Sequence, residues 1–473
     1  VNQTNLLFIL SDQHIRDNSG CYGHPLVQTP NIDTLAERGT RFTNAYTPSP
    51  VCVPARACLA TGRYAHQIGS WSNAFPYDGR VPSWGHRLKS QGHQIDSIGK
   101  LHFRSNDDDN GFTQEINPMY VMDGWGDLLH CLRHKPVFRY NRHVVQEAGP
   151  GDSSYLRYDT RNADHACHWL TQYANDGKPW VLFLSFVCPH PPHIAPEELY
   201  NLYPLDQIPL MPQWQHDQWP DHPAINYLRR YFDYDTPFTE AELRNLSAAY
   251  YGCCTYLDQK IGQVLERLEE LNLSDTTRII YTSDHGESLG ARGFIGKLTM
   301  YEESVAVPFI MAGPDVPQGK VVNTPISLID CFPTVLEAVG ASPVPEDDNL
   351  QAESLWQIAQ QPDQERTIFS EIHGITNSAY MLRRAQYKYV YYVNAPAQLF
   401  NLHTDPEERN NLAPLPQFQP IPQDFEVQLR HILDPEATAA QVIVDQQAKV
   451  EAFGGEAAVR KQKGFTNSPI PGG

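Results

Sequence analysis

Residues 6–10 read Leu-Leu-Phe-Ile-Leu, without a polar side chain, and Ser11-Asp12-Gln13 follows at once. An apolar run of strand length that does not alternate is buried on both faces, as in a central strand of a parallel sheet covered by helices. The pattern returns at 181–187 (VLFLSFV), which leads into Cys188-Pro189-His190, and at 278–283, which leads into Asp284-His285. A weaker instance at 94–98 precedes Gly99-Lys100-Leu101-His102, and 308–312 is another short run. Helical patterns lie between these strands. Residues 31–38 put Ile32, Leu35 and Ala36 on one face and stop at Gly39. Thr239-Glu240-Ala241-Glu242 has the form of a capping box, and Leu243, Leu246, Tyr250, Leu257, Ile261, Val264 and Leu268 then recur at helical spacing. Strands alternating with helices specify an α/β domain with a large, mostly parallel central sheet flanked by helices. Ligands of such sheets collect beyond the carboxyl ends of the strands. Asp12, Lys100, His102, His190, Asp284 and His285 all fall at such ends.

A second constraint sits at residues 47–63. Ser and Pro turn residues lead into a short helical pattern with Pro54 near its first position and Gly62 as its stop. Cys52 is thereby held at a helix N-terminus, where free N–H groups and the helix dipole favour negative charge. Arg56, four residues on, lies over the same face. An anion drawn there meets a cation and a reactive side chain together. The formal net charge of −19 gives no general steering toward an anionic substrate, so an oxyanion pocket must gather its cations locally. The same charge opposes binding to nucleic acid or to an anionic membrane.

The 473 residues suffice for one large domain and a smaller one. The expected division is a catalytic α/β domain over 1–350 and a C-terminal α+β subdomain over 366–473, with the polar stretch 343–365 as a linker. The partly alternating run 385–393 and residues 398–402 suggest a small antiparallel sheet. Residues 191–238, rich in Pro, Trp, Tyr and Asp without a clean period, read as a packed loop beside the site. The tail 465–473 reads as loosely ordered. Nine cysteines, an odd number without CxxC spacing, argue against a disulfide framework or a structural zinc site. No run is long and apolar enough for a membrane span, no signal peptide is visible, and the expected home is the cytoplasm.

Cys52-Val53-Pro54-Ala55-Arg56 matches the C-x-P-x-R signature of the sulfatase family. The resemblance extends over most of the chain and implies an alkaline-phosphatase-like fold. It implies that Cys52 is converted to formylglycine (3-oxoalanine) by a formylglycine-generating enzyme, and that the aldehyde hydrate is the nucleophile on a small-molecule sulfate ester. The implied metal ligands are Asp12, Gln13, position 52, Asp284 and His285. Oxygen donors with one imidazole suit Ca²⁺ first, and also Mn²⁺ or Mg²⁺. Gln13 stands where many sulfatases carry a second acid; the Asp-Gln and Asp-His pairs resemble the choline-sulfatase and phosphonate-monoester-hydrolase branches. Lys100 and His102 match the family's K-x-H, and Lys297 its second lysine. With Arg56 they are the expected cations on the sulfate and on the nucleophile's developing charge. His190 is the expected general acid, Asn73 a substrate contact near the nucleophile, and His193 a pocket wall or a surface residue. Relatives of this type assemble as dimers or tetramers, so a homo-oligomer is implied.

Two other activities compete. A phosphonate monoester or phosphodiester hydrolase shares the fold, but its residues at positions 100 and 102 resemble Tyr and Thr, so Lys100 and His102 favour sulfate. Gly286-Glu287-Ser288-Leu289-Gly290 also fits G-x-S-x-G, with Asp330 and His373 downstream in the order of a serine esterase. A nucleophile elbow follows its strand directly, whereas here Asp284 and His285 intervene.

Overall fold

An eight-stranded sheet runs through the molecule. In this computed structural model, which describes residues 4–133, 136–173, 178–375, 378–462 and 468–471, its strands in chain order are β1 (Asn5–Asp12), β2 (Gly39–Phe42), β3 (Gln94–Lys100), β4 (Gln114–Met119), β5 (Trp180–Pro189), β6 (Thr277–Ser283), β7 (Phe309–Ala312) and β8 (Lys320–Val322). Across the sheet the order is β8-β2-β7-β6-β1-β5-β3-β4. β1 lies at the centre, parallel to β5 and β6, and β7 runs antiparallel to both β6 and β2. The expected mostly parallel α/β sheet is therefore present. Three strands escaped the sequence reading. β4 and β8 are the sheet's edges and β2 pairs with β8; β4 is half polar with Gln114 exposed, and β8 is only three residues long with Val321 exposed, so neither shows a buried apolar run. Pro118, which has no N–H to donate, is tolerated in an edge strand.

Helices cover both faces: α1 (Pro30–Glu37), α2 (Cys52–Thr61), α3 (Ser154–Tyr173), α4 (Glu240–Glu270), α5 (Cys331–Ala338) and α6 (Leu355–Gln360). The pleat of β1 sends Leu7 and Ile9 into a core with side chains of α1, α3 and α4. Leu6, Phe8 and Leu10 go to the opposite core, with α2, α5 and α6. Each of these side chains is fully buried, which stabilises by about 1.5–3 kcal/mol apiece. α4 starts as expected: Thr239 Oγ1 accepts from Glu242 N (3.2 Å), and Thr239 N donates to Glu242 Oε2 (2.7 Å).

The stretch 343–365 is not an open linker. It contains α6, whose Leu355, Trp356, Ile358 and Ala359 are buried in the sheet's core, and the Trp356 indole donates to Thr334 O (2.7 Å). Glutamines around a single short apolar face had hidden it. Beyond it β9 (Ile368–Ile372), β10 (Ala379–Arg384), β11 (Tyr387–Tyr392) and β12 (Ala395–Asn401) form an antiparallel sheet in that order. The run 385–393 begins in the β10–β11 turn, where Ala385 has φ 49°. Helices Pro420–Ile432 and Pro435–Ala452 follow. Residues 191–238 are packed as expected, and also contain a helix over Pro223–Tyr231. Of the tail, 465–467 and 472–473 lie outside the described residues. Ser468, in contrast to the loose tail expected, is buried, and its carbonyl accepts from the Tyr155 hydroxyl on α3. Among the described residues no helix is long and apolar enough to cross a membrane.

Candidate active site

The strand ends are irregular where the chemistry begins. The pairing of β1 with β5 shifts register between Leu10 and Asp12, and Gln13 has φ 70°. In β3 the register shifts between Ile98 and Lys100. Gly99 there has φ 95°, and a Cβ on it would lie 2.1 Å from Ser185 O. Such bulges re-aim the next side chain; here the Lys100 ammonium reaches Asp12 Oδ2 (2.6 Å). α2 brings Cys52 to these strand ends. Val51 enters it in an extended conformation, Gly62 ends it at φ 65°, and all its residues are buried. Asn73 Oδ1 accepts from Val53 N (3.2 Å), supplying the helix start with a cap from outside the helix.

Side chains distant in sequence meet at this point. Donor atoms of Asp12, Cys52, Asp284 and His285 lie within 4.8 Å of one another. His285 Nδ1 faces Gly286 O (3.0 Å), which makes it the protonated nitrogen and turns Nε2 inward, 3.1 Å from Cys52 Sγ and 3.6 Å from Asp284 Oδ1. Asp12 Oδ1 is buried without a hydrogen-bond partner. A fully buried carboxylate oxygen left unpaired is costly, and a divalent cation between these donors would satisfy it. The residues fit such an ion. Burial alone would raise the Asp12 carboxyl, but Lys100, His190, Arg56 and His285 outweigh it and hold the group well below the usual carboxylate range. Burial opposes a charged His285, and Asp284 outweighs that and raises it; a cation would displace that proton.

Arg56 differs from expectation. Its Nε donates to Asp284 Oδ2 (2.8 Å), Nη2 to Asp12 Oδ2 (3.1 Å), and Nη1 to Lys100 O (2.7 Å) and Ser185 Oγ (2.9 Å). The guanidinium is thus committed to the two carboxylates behind the cavity wall. Lys100 is committed likewise to Asp12. Gln13 also departs from a simple ligand role: its Oε1 accepts from Lys297 Nζ (2.5 Å), its Nε2 donates to Glu287, and its backbone N–H donates to Asp284 Oδ1 (3.1 Å).

A cavity of about 140 Å³ opens over Cys52. Gln13, Asn73, His102, His190 and Lys297 line its inner part, and Val121, Met122, Val144, Phe232, Tyr234 and Leu298 much of the remainder. His193 lies elsewhere: it is fully buried, with its ring 5.4 Å from that of Tyr250. Burial opposes charge on Lys297, but Cys52, Asp12 and Asp284 outweigh it and raise the ammonium above its ordinary value, so it stays charged. Burial, then Asp12, oppose the Cys52 thiolate, and Lys297, His285 and Lys100 bring the thiol below its ordinary value nonetheless. Burial, reinforced by Lys297 at His190 and by Lys100 at His102, pushes both imidazoles well down, so both are neutral near pH 7. One charged lysine, two neutral imidazoles and a sulfur at a helix N-terminus face this space, which His130 and the Arg139–Asp127 ion pair also line. That suits a tetrahedral oxyanion ester and its proton transfers.

Sequence reasoning missed three partners. Ser185 is the one hydroxyl inside the apolar run of β5, a signal that was available. Glu287, three residues past Asp284, is buried and accepts from Gln13, Leu289 N and Gly296 N, shaping the loop that carries Lys297. Ser468, whose Oγ is 2.6 Å from His102 Nε2, has no local sequence signal. The serine-esterase arrangement does not assemble. Ser288 Oγ is buried without a partner, His373 is held between Ser378 Oγ and Glu371 (2.8 and 2.9 Å), and Asp330 pairs with Arg366.

A family model described as sulfatase matches residues 4–341, and one described as N-sulphoglucosamine sulphohydrolase, C-terminal, matches 290–434. Arylsulfatase K of Rattus norvegicus is 32% identical over 454 residues, covering 89% of this chain and 76% of the relative. Choline-sulfatase of Rhizobium meliloti (strain 1021) is 31% identical over 409 residues, covering 82% and 78%. Among solved structures, the phosphonate monoester hydrolase of Agrobacterium radiobacter superposes with a TM-score of 0.74 at 24% identity, over 93% of this chain and 96% of that one.

Proposed function

The chain belongs to the sulfatase family, and we propose that it hydrolyses sulfate monoesters of aryl or alkyl alcohols with position 52, as formylglycine, supplying the nucleophile. The observation that carries this reading is the convergence of Asp12, Asp284 and His285 on Cys52, with Lys297, His102 and His190 facing the same cavity. Cys52 Sγ marks where the oxygens of a formylglycine hydrate would sit. The hydrate supplies two geminal hydroxyls, one to take the sulfur and one through which sulfate is later expelled. A divalent cation, for which we propose Ca²⁺, would be held by Asp12, Asp284 and His285 and would draw negative charge toward position 52.

The chain's own residues do the rest. Lys297 binds the sulfate oxygens and offsets charge that grows as the ester bond breaks. Arg56 and Lys100 hold Asp12 and Asp284 in place from behind. His190 gives a proton to the departing oxygen. The anionic ester beside it offsets the burial and the Lys297 charge that keep the free imidazole neutral. His102, already neutral, takes the proton of the second hydroxyl so that sulfate can leave. The rest of the lining sets Val121, Met122, Val144, Phe232, Tyr234 and Leu298 beside Asp127, His130, Arg139 and Asn141, which suits a leaving group with both an apolar body and polar substituents.

Maturation by a formylglycine-generating enzyme, a homo-oligomeric assembly and a cytoplasmic location belong to the same proposal, the last on the odd, scattered cysteines. Mass spectrometry of tryptic peptide 42–56 tests the nucleophile: formylglycine makes it lighter by the exchange of sulfur for oxygen and the loss of two hydrogens. An unmodified thiol in fully active enzyme, or full activity after Cys52→Ala, would end the reading. Rates with an aryl sulfate and an aryl phosphonate measure the preference that Lys100 and His102 lead us to expect for sulfate.

A further inference from the structure

His102 enters the cavity from a left-handed backbone (φ 57°), a conformation that costs about 1–3 kcal/mol and persists only where surroundings enforce it. Its Nδ1 is buried without a partner, and its Nε2 lies 2.6 Å from Ser468 Oγ. Ser468 belongs to the far end of the chain, and separate contacts seat it. The Tyr155 hydroxyl donates to Ser468 O (2.7 Å), and Ile470 packs against the buried cluster of Met119, Tyr155, Tyr158 and Val187. Ser468 itself lines the cavity beside His102 and His190.

We propose that Ser468 is a positioning residue for His102, and that residues 468–471 complete the active site. The hydroxyl oxygen accepts the Nε2–H, which puts the imidazole lone pair on Nδ1, the nitrogen that has no partner among the described residues. When Nδ1 takes a proton, the ring becomes a cation, Nε2–H remains a donor and Ser468 remains an acceptor. The bond persists through the step and strengthens with the new charge. It therefore favours the transition state over the resting enzyme, which raises kcat.

The inference rests on His102 taking the proton in the sulfate-releasing step, and steady-state kinetics separate the two. Ser468→Ala is expected to lower kcat about tenfold at unchanged KM, the loss of one charge-assisted hydrogen bond. Ser468→Thr should restore it. Ile470→Asp, which keeps the hydroxyl but unseats the segment, should reproduce the loss, with the melting temperature of each variant close to that of the parent. In a His102→Ala background, Ser468→Ala should add nothing. An unchanged kcat in Ser468→Ala while His102→Ala retains only a small residual activity overturns the inference alone, and so does a raised KM at unchanged kcat. Full activity of His102→Ala overturns the underlying reading.

Discussion

Replacing Arg56 by methionine keeps the aliphatic stem and removes the charge from a side chain that is only 2% exposed. Four hydrogen bonds are lost, two of them to carboxylates. Asp284 and Asp12 then face each other with Lys100, paired to Asp12, and Lys297 as the lysines that act on them. Removing one partner from a buried ion pair costs about 3–5 kcal/mol. At roughly 2.1 cal/mol/K per residue, unfolding all 473 residues in one step carries an entropy of about 1 kcal/mol/K, so the midpoint should fall by roughly 3–5 °C. The cost should depend on the metal. A divalent cation held by the same two carboxylates would supply part of the missing charge, so the fall measured in excess Ca²⁺ should be smaller than in EDTA. Arg56→Lys keeps the charge but cannot bridge both acids, and should fall between. Differential scanning calorimetry of parent and both variants, with and without Ca²⁺, reads all of this. An Arg56→Met midpoint equal to the parent's in EDTA would refute the idea that Arg56 holds two ionised acids together. A larger fall with Ca²⁺ than without it would refute Asp12 and Asp284 as the ligands.

Gly99→Val should destabilise by more than about 2 kcal/mol and abolish activity, since its Cβ would meet Ser185 O at a position with φ 95°; Gly92→Asn, at φ 82° with nothing within 4 Å, should leave the melting temperature nearly unchanged. Burial raises the Glu408 carboxyl to about 7 against the pull of Lys388 and Arg292. A carboxyl raised on folding stabilises below its unfolded value near 4.5 and loses that contribution as pH rises through about 7. Glu408→Gln should therefore flatten the rise in melting temperature between pH 8 and pH 5 that this group contributes, and an unchanged slope would contradict the shift. Ser288→Ala should keep full sulfatase activity, because its hydroxyl is buried and unpartnered; a dead variant with a normal melting temperature would revive a serine nucleophile.

Residues at the ends of β1, β3, β5 and β6 were legible because an apolar run that stops at a charged or ionisable group is hard to reconcile with anything but a buried strand opening onto a site. The motif around Cys52 was legible because five consecutive residues carry it. What those residues do was less so. Helical spacing put Arg56 on the face of Cys52, yet it could not tell a guanidinium aimed at substrate from one aimed at two acids. That depends on α2 being buried all round and on Ser185 standing opposite. The edge strands β4 and β8 and helix α6 were lost for a related reason: their sequences answer to exposed neighbours, so no single period dominates.

Ser468 marks where local reading ends. Nothing near it in the chain resembles a site, and its importance comes from a contact spanning 366 positions. The residue at the other end of that contact, His102, is legible from Lys100 two positions before it in a short K-x-H motif. A motif of this kind preserves the group that reacts, because substitution there removes the chemistry outright. The group that orients it needs only a hydroxyl at the right place, which many segments of chain could deliver. Orienting partners should therefore be the part of such a site least visible in sequence and most dependent on tertiary structure. Ser185, Glu287 and Ser468, the three partners missed here, all contribute hydrogen-bond acceptors to residues that were found.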